Sequence, residues 1–406
     1  MVYSPPKQHL VIGGGGVVGL ATALCLRQAV PAMVDVTVCD PSLAISRKAG
    51  RVSTIAAGQR RFLTKLGVWE SLGDEASPVT AMHISDSRLE DALRPVYLKL
   101  SGEIAPGEAF AHVVSDGALT KILQTACTKA GVTMRATSIS GDSLEGQSRT
   151  INLADGGTLR ADLLVAADGR ASPIRTRARI GVAGHDYGQS GLVATLALER
   201  PHGGVAVQHF LPGGPFAFLP LAGNRASIVW SQPHAAAQRL MRLEQSELAS
   251  EIEACFGHQL GEIKLIDRPQ IFPLALGIAR SFIGARLALA GDAAHGIHPL
   301  AGQGLNLGLA DAEALANAVS LAAGLGLPLG NQETLEDYQR ARRAPAVAMA
   351  AAMEGFNALF SNDVMPLRRL RDLGLGVVDR APELKARIIR QAANVKAPAD
   401  GPLRQA

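Results

Sequence analysis

Three stretches of this 406-residue chain combine glycines with acids at spacings suited to chemistry on a bound nucleotide. Gly14-Gly15-Gly16-Val17-Val18-Gly19 fits Gly-x-Gly-x-x-Gly. In that pattern Gly14 permits a tight turn, Gly16 lets backbone approach a pyrophosphate at a helix N-terminus, and Gly19 lets helix and strand pack closely. Asp40, 21 residues after Gly19, stands where a carboxylate would bind a ribose hydroxyl. This motif by itself does not separate FAD from NAD. Asp168-Gly169-Arg170-Ala171-Ser172-Pro173-Ile174-Arg175 is the second stretch; its Asp-Gly-x-x-Ser-x-x-Arg pattern is far more restrictive than a plain Asp-Gly turn.

The third stretch runs from Gly291-Asp292-Ala293-Ala294-His295 through His298-Pro299-Leu300-Ala301-Gly302-Gln303-Gly304-Leu305-Asn306. Its chemistry suits a flavin. Asp292 can accept hydrogen bonds from ribityl hydroxyls. The Gly302–Asn306 backbone, Gly304 and Leu305 included, opens a helix and can stabilise negative charge on a reduced ring. Pro299 would wall that ring without donating a hydrogen bond. His295 and His298 are acid/base candidates, as is His209, each set against a plainer reading as a loop or sheet histidine. Phe216, Phe218 and Leu219 either line an apolar pocket or belong to sheet core. Neither a nucleophilic triad nor a metal-ligand set is visible.

These motifs need strands and helices to hold them. Leu10-Val11-Ile12 reads as a buried strand, Leu20–Gln28 as a helix, and the alternation at Val34, Val36 and Val38 as a second strand, together a βαβ unit. Asp116–Ala130 reads as a helix capped by Gly131. Residues 150–167 read as two strands around Asp155-Gly156-Gly157, the second being Leu163–Ala167. Residues 185–275 are strongly β in pattern, interrupted by one helix from Ala235 to Phe256, and residues 286–320 return to strand, Gly-rich turn and long helix. The predicted fold class is α/β: a Rossmann-like FAD-binding domain (1–75, 112–180 and 276–345) interwoven with a mainly β substrate domain (76–111 and 181–275), then a helical C-terminal segment (346–406).

Composition agrees. Hydrophobic residues make up 47% and charged residues 19%, arguing against disorder, and a net charge of only +4 gives no support to nucleic-acid binding. The four cysteines form no Cys-x-x-Cys pair and read as buried thiols in a reducing cytosol. Five glycines between residues 13 and 19 make the N-terminal apolar run a poor signal peptide, and no other stretch is apolar enough to span a membrane.

In this order the three motifs resemble the group A flavoprotein monooxygenases, of the para-hydroxybenzoate hydroxylase fold. The string AGDAAHGIHPLAGQGLNLGLADAEAL is similar to their ubiquinone-biosynthesis hydroxylase branch, as are RVSTIAAGQRRFLTKLGVW, FAFLPL and GFNALFSNDVMPLRRLRDLGLGVVDRAPELK, so the resemblance runs from residue 10 to about 394. Two positions depart from the pattern. Ser115-Asp116 stands where the family usually has Glu-Asn, and Gly13 is an extra glycine before the first motif.

The resemblance implies tightly bound, non-covalent FAD, with Gly14, Gly16, Gly19, Asp40, Arg51, Asp168, Gly169, Gly291, Asp292, Pro299, Gly302, Gly304, Leu305 and Asn306 at the cofactor. It also implies NAD(P)H as a transient reductant, O2 as co-substrate, and hydroxyl transfer from a flavin hydroperoxide to a polyprenylated phenol or quinone-precursor ring. Pro299, His298 and His209 are the residues expected nearest the reaction. Other readings are a same-fold hydroxylase of a soluble phenol, a polyprenyl reductase, and a non-catalytic flavin protein. With Trp69 and Trp230 the only tryptophans, the Trp-x-Trp-x-x-Ile motif of flavin halogenases is missing.

Between Met365 and Ala406, nine Lys/Arg face four acids, with Leu367, Leu370, Leu373 and Val377 at helical spacing. A basic amphipathic helix of this kind suits peripheral contact with the inner membrane or with a pathway-enzyme complex. The plainer reading is a solvated helix packed on the FAD domain of a cytoplasmic protein.

Overall fold

The computed structural model describes residues 7–45, 51–86, 96–101, 103–211, 213–256, 260–298, 302–360 and 381–395. Pro299 and the 367–377 stretch therefore lie outside the described residues. The centre of the molecule is a six-stranded sheet in the order Thr133–Arg135, Val34–Cys39, Gln8–Gly13, Leu163–Ala166, Leu287–Leu289, Ile283–Gly284. Its first five strands run parallel, and Leu10, Ile12, Leu163 and Val165 are completely buried. Burial on both faces explains why Leu10–Ile12 and Leu163–Ala166 read as continuous apolar runs, whereas Val34–Cys39, with Asp35 exposed, alternates. Helix Val17–Ala29 packs on this sheet between helices Asp116–Lys129 and Gln303–Gly324.

A second sheet of nine described strands is almost entirely antiparallel. Its middle is Gln270–Ala279, Val182–Leu198, Arg225–Pro233, Gly214–Leu221 and Val205–Leu211, and at one edge it recruits His295–Gly296, straight out of the third Gly-rich stretch. A small sheet of Val52–Ala56, Ala111–Ser115 and Ala76–Val79 lies where the chain passes between the two. Helix Gln245–Phe256 covers one face of the large sheet, where Phe216 and Phe218 meet the Phe256 ring edge-on at centroid separations of 5.0 Å. Among the described residues no helix is long and apolar enough to cross a membrane. All four cysteines are free thiols.

The structure revises two elements. The turn at Asp155–Gly157 joins Ser148–Leu153 to Thr158–Ala161, not to Leu163–Ala166, which joins the parallel sheet instead. Asp162 makes the break by accepting the His9 N–H at 2.8 Å, so the run splits between a partly exposed hairpin strand and a fully buried strand of the parallel sheet. The expected Ala235–Phe256 helix is two, His234–Leu240 and Gln245–Phe256. The Glu247 carboxylate reaches back to accept the Glu244 N–H at 3.1 Å, which marks a fresh helix start.

Candidate functional site: a cavity between two sheets

Gly14 follows the first strand with φ +122°, where a Cβ would overlap the Ala167 carbonyl. Gly19, one turn into the helix, lies so close to the Gly14 carbonyl that only hydrogen fits. Nothing lies within 4 Å of a Cβ built at Gly16, which caps helix Val17–Ala29 with no side-chain bond to its first N–H groups. Those donors are left for a ligand. Gly13 has its own reason: a Cβ there would strike Ile174. Asp40 accepts from Gly15 N and Ser42 N, both at 2.7 Å, so its carboxylate fixes the glycine loop as well as facing the cavity.

The second motif is a brace. The Ser172 hydroxyl donates to Asp168 Oδ1 at 2.5 Å and accepts from Arg175 N at 3.0 Å, capping the short helix Pro173–Arg177. Arg175 then donates to the Arg170 and Ala293 carbonyls, both at 2.9 Å, tying this loop to the third motif. Burial holds the Asp168 carboxyl above the usual carboxylate range, partly offset by the Ser172 bond.

The third motif hangs on Asp311, which is fully buried. It accepts from Gly291 N at 2.9 Å, from His295 Nε2 at 2.5 Å and from Arg342 Nε at 2.7 Å. Burial opposes charge on both partners of the His295–Asp311 pair. Their mutual attraction outweighs it, with Arg342 assisting the carboxylate, so His295 is held up and Asp311 held down. Farther on, Gly302 takes φ +63° against Thr54 and opens helix Gln303–Gly324, again with no side-chain cap. Asn306 fastens that helix to strand Val52–Ala56. Its Oδ1 accepts from Ala56 N at 2.9 Å, and its Nδ2 donates to Thr54 O at 2.8 Å and Gly302 O at 3.0 Å.

These loops enclose one side of a cavity of about 830 Å³. Gly14, Gly16, Asp40, Arg51, Asp168, Gly169, Gly291, Asp292, Gly302, Gly304 and Leu305 all line it; Gly19 and Asn306 lie just behind, serving packing and bracing. Arg51 is 69% exposed and pairs with Asp116 at 3.1 Å, while Ser115 caps helix Asp116–Lys129. The Ser115-Asp116 departure thus supplies both a helix cap and a partner for Arg51. The opposite side is the large sheet, through Val193, Ala217, Leu219, Val229 and Leu274.

The FAD binding domain family matches residues 7–353 of this chain. The chain belongs to that family. It is 38% identical to a ubiquinone hydroxylase of Rhodospirillum rubrum over 94% of this chain and 89% of the relative. It is 35% identical to the 3-demethoxyubiquinol 3-hydroxylase of Escherichia coli, covering 95% of this chain and 98% of that one. Its fold matches the crystal structure of p-nitrophenol 4-monooxygenase from Pseudomonas putida with a TM-score of 0.78, at 19% identity over 97% and 99% of the two chains.

The cavity fits FAD. Two uncapped helix N-termini face it, as anionic phosphates and a reduced ring require, and the positions at Gly16, Gly169 and Gly304 are open to a ligand's approach. None of the three candidate histidines is among the described residues that line the cavity. His295 is consumed by Asp311. His298 is buried, does not line the cavity, and meets Tyr187 edge-on at 4.9 Å with both ring nitrogens lacking a hydrogen bond among the described residues. Burial, helped by Arg170, pushes its pKa down to about 4. His209 turns to the helix-covered face of the sheet, bonded to Ser85 and beside Phe216. Phe216 and Phe218 share that face, so of the expected pocket trio only Leu219 reaches the cavity; a strand's period of two separates them.

From sequence, Asp311, Arg342 and Gln208 carry no assigned role. Asp311 and Glu313 are the two acids within the largely apolar run Leu305–Leu315, which is the signal the sequence offers for Asp311. Arg342 and Gln208 gave none.

Proposed function

We propose that this protein is an FAD-dependent monooxygenase that hydroxylates the aromatic ring of a polyprenylated phenol in ubiquinone biosynthesis, using O2 and NAD(P)H. The observation that carries the reading is the single cavity with two unlike walls: a backbone cradle for a dinucleotide and, facing it, an apolar sheet suited to a lipid-linked ring. The two hydroxylase relatives, aligned over more than nine-tenths of the chain, supply the pathway.

FAD, when bound, supplies the redox and oxygen chemistry. The chain's part is to hold and to exclude. Gly14, Gly16 and the N-terminus of helix Val17–Ala29 would take the pyrophosphate, with Asp40 on a ribose hydroxyl. Asp168, Gly169, Gly291 and Asp292 would hold the ribityl side, and the Gly302–Leu305 backbone the ring, with Pro299 beside it. Arg51, already paired with Asp116, would lie at the open edge. The apolar sheet wall keeps water from the ring pair, which limits wasteful side reactions. The basic segment 365–406 would collect substrate at the membrane surface; liposome co-sedimentation that is unchanged on deleting it would count against this last point.

Quinone-pathway lipids from cells lacking the gene test the reading by mass spectrometry. A polyprenyl-phenol one oxygen short should accumulate, and its structure names the carbon. An unchanged quinone profile with no paralogue compensating would move the substrate to a soluble phenol.

A further inference from the structure

Gln208 is the one polar side chain that the nine-stranded sheet adds to the cavity lining among the described residues. It lies in a cross-strand row with Ala217 and Val229, both apolar, and is only 9% exposed. The Phe216 carbonyl beside it can only accept, so the amide nitrogen must turn that way, and Nε2 donates to Phe216 O at 3.3 Å. Oε1 is thereby directed away from the backbone and accepts no hydrogen bond among the described residues. That oxygen is accessible from the cavity, an acceptor set among apolar neighbours and offered to a ligand donor.

We propose that Gln208 Oε1 accepts the hydrogen bond of a free ring hydroxyl on the substrate and so selects a phenol over its ether. The inference rests on the ring-hydroxylase reading and adds a specificity residue to it. The apolar neighbours Ala217, Val229 and Leu219 take the ring's carbons, and Gln208 fixes its rotation. A ring turned by one position would lose the bond and present a different carbon to the cofactor side of the cavity. An ether oxygen in the same place brings no donor and leaves Oε1 unsatisfied.

The test is titration of the FAD-loaded protein with 2-octylphenol and with its methyl ether, followed through flavin absorbance. The native protein should bind the phenol at least about tenfold more tightly. Gln208→Met, of similar volume, should weaken the phenol about tenfold, leave the ether within about twofold, and retain full flavin. Equal binding of the two probes by the native protein overturns the proposal without any variant, and so does an undiminished preference in Gln208→Met. Binding of neither probe by the native protein would instead sink the ring-hydroxylase reading, and this inference with it.

Discussion

On the cofactor side of the cavity the geometry is held by backbone: Gly14 and Gly302 at positive φ, and loops fastened by Asp168, Arg175, Asn306 and Asp311. On the sheet side it is held by side chains that alternate between two faces, Phe216 and Phe218 toward a helix, Ala217 and Leu219 toward the cavity. A backbone cradle tolerates few residue types at each position, because a single Cβ closes it. A sheet wall tolerates many, because any apolar side chain of suitable size will serve. The first kind of site is fixed by steric exclusion and the second by pattern.

The sharpest way to break the cofactor side is at its hub. Asp311→Ala leaves the Arg342 and His295 side chains without their shared acceptor and should cost about 3–5 kcal/mol, read by urea denaturation, with loss of bound flavin. A stability within about 1 kcal/mol of native would mean the hub bears little. Gly14→Ala puts a methyl against the Ala167 carbonyl at a φ that side chains avoid. It should lower stability by about 3 kcal/mol and abolish flavin retention, measured by the absorbance of purified protein.

His298 offers a pH test between the two sides. Its folded pKa of about 4 lies below the ordinary 6.5, so the unfolded chain takes the proton first as pH falls. Stability should therefore be full above about pH 6.5 and fall by up to about 3 kcal/mol on the way to pH 4 from this residue. His298→Phe should flatten that decline, seen in urea midpoints at about pH 7 and about pH 4.5. An equal decline in both proteins would assign it elsewhere, for instance to His112, whose pKa burial likewise depresses to about 4. The smallest effect expected is from Ser172→Ala, about 1 kcal/mol, since the helix loses its cap and Asp168 loses the hydroxyl donor. On the sheet side, changes such as Val193→Ile should leave flavin content untouched, and a drop in flavin there would erase the contrast.

That contrast explains what could be read in advance. The three Gly-rich stretches, their strands and their helices were legible because steric exclusion leaves a residue-type signature at fixed spacing. The fully buried parallel strands Leu10–Ile12 and Leu163–Ala166 were equally plain as apolar runs. The sheet face was not. Each residue of FAFLPL is apolar, so nothing in the types tells which ones face the cavity, and His209 attracted notice one position away from Gln208, on the opposite face. Arg342 could not be found because its partner Asp311 is 31 residues distant and the pairing depends on how two long helices pack. Asn306 was anticipated for its backbone, whereas its side chain does the bracing.

The hub has a consequence for synthesis. The first Gly-rich loop leaves the ribosome early, but the strand Leu287–Leu289, the Gly291 loop and the Arg342 brace that complete its cradle are all made in the last third of the chain. A nascent or truncated product ending before Arg342 carries every described residue that lines the cavity but not the Arg342 brace on Asp311. Cofactor capture should therefore complete late in biogenesis, and a nonsense codon at Arg340 should yield protein whose purified absorbance lacks the flavin bands.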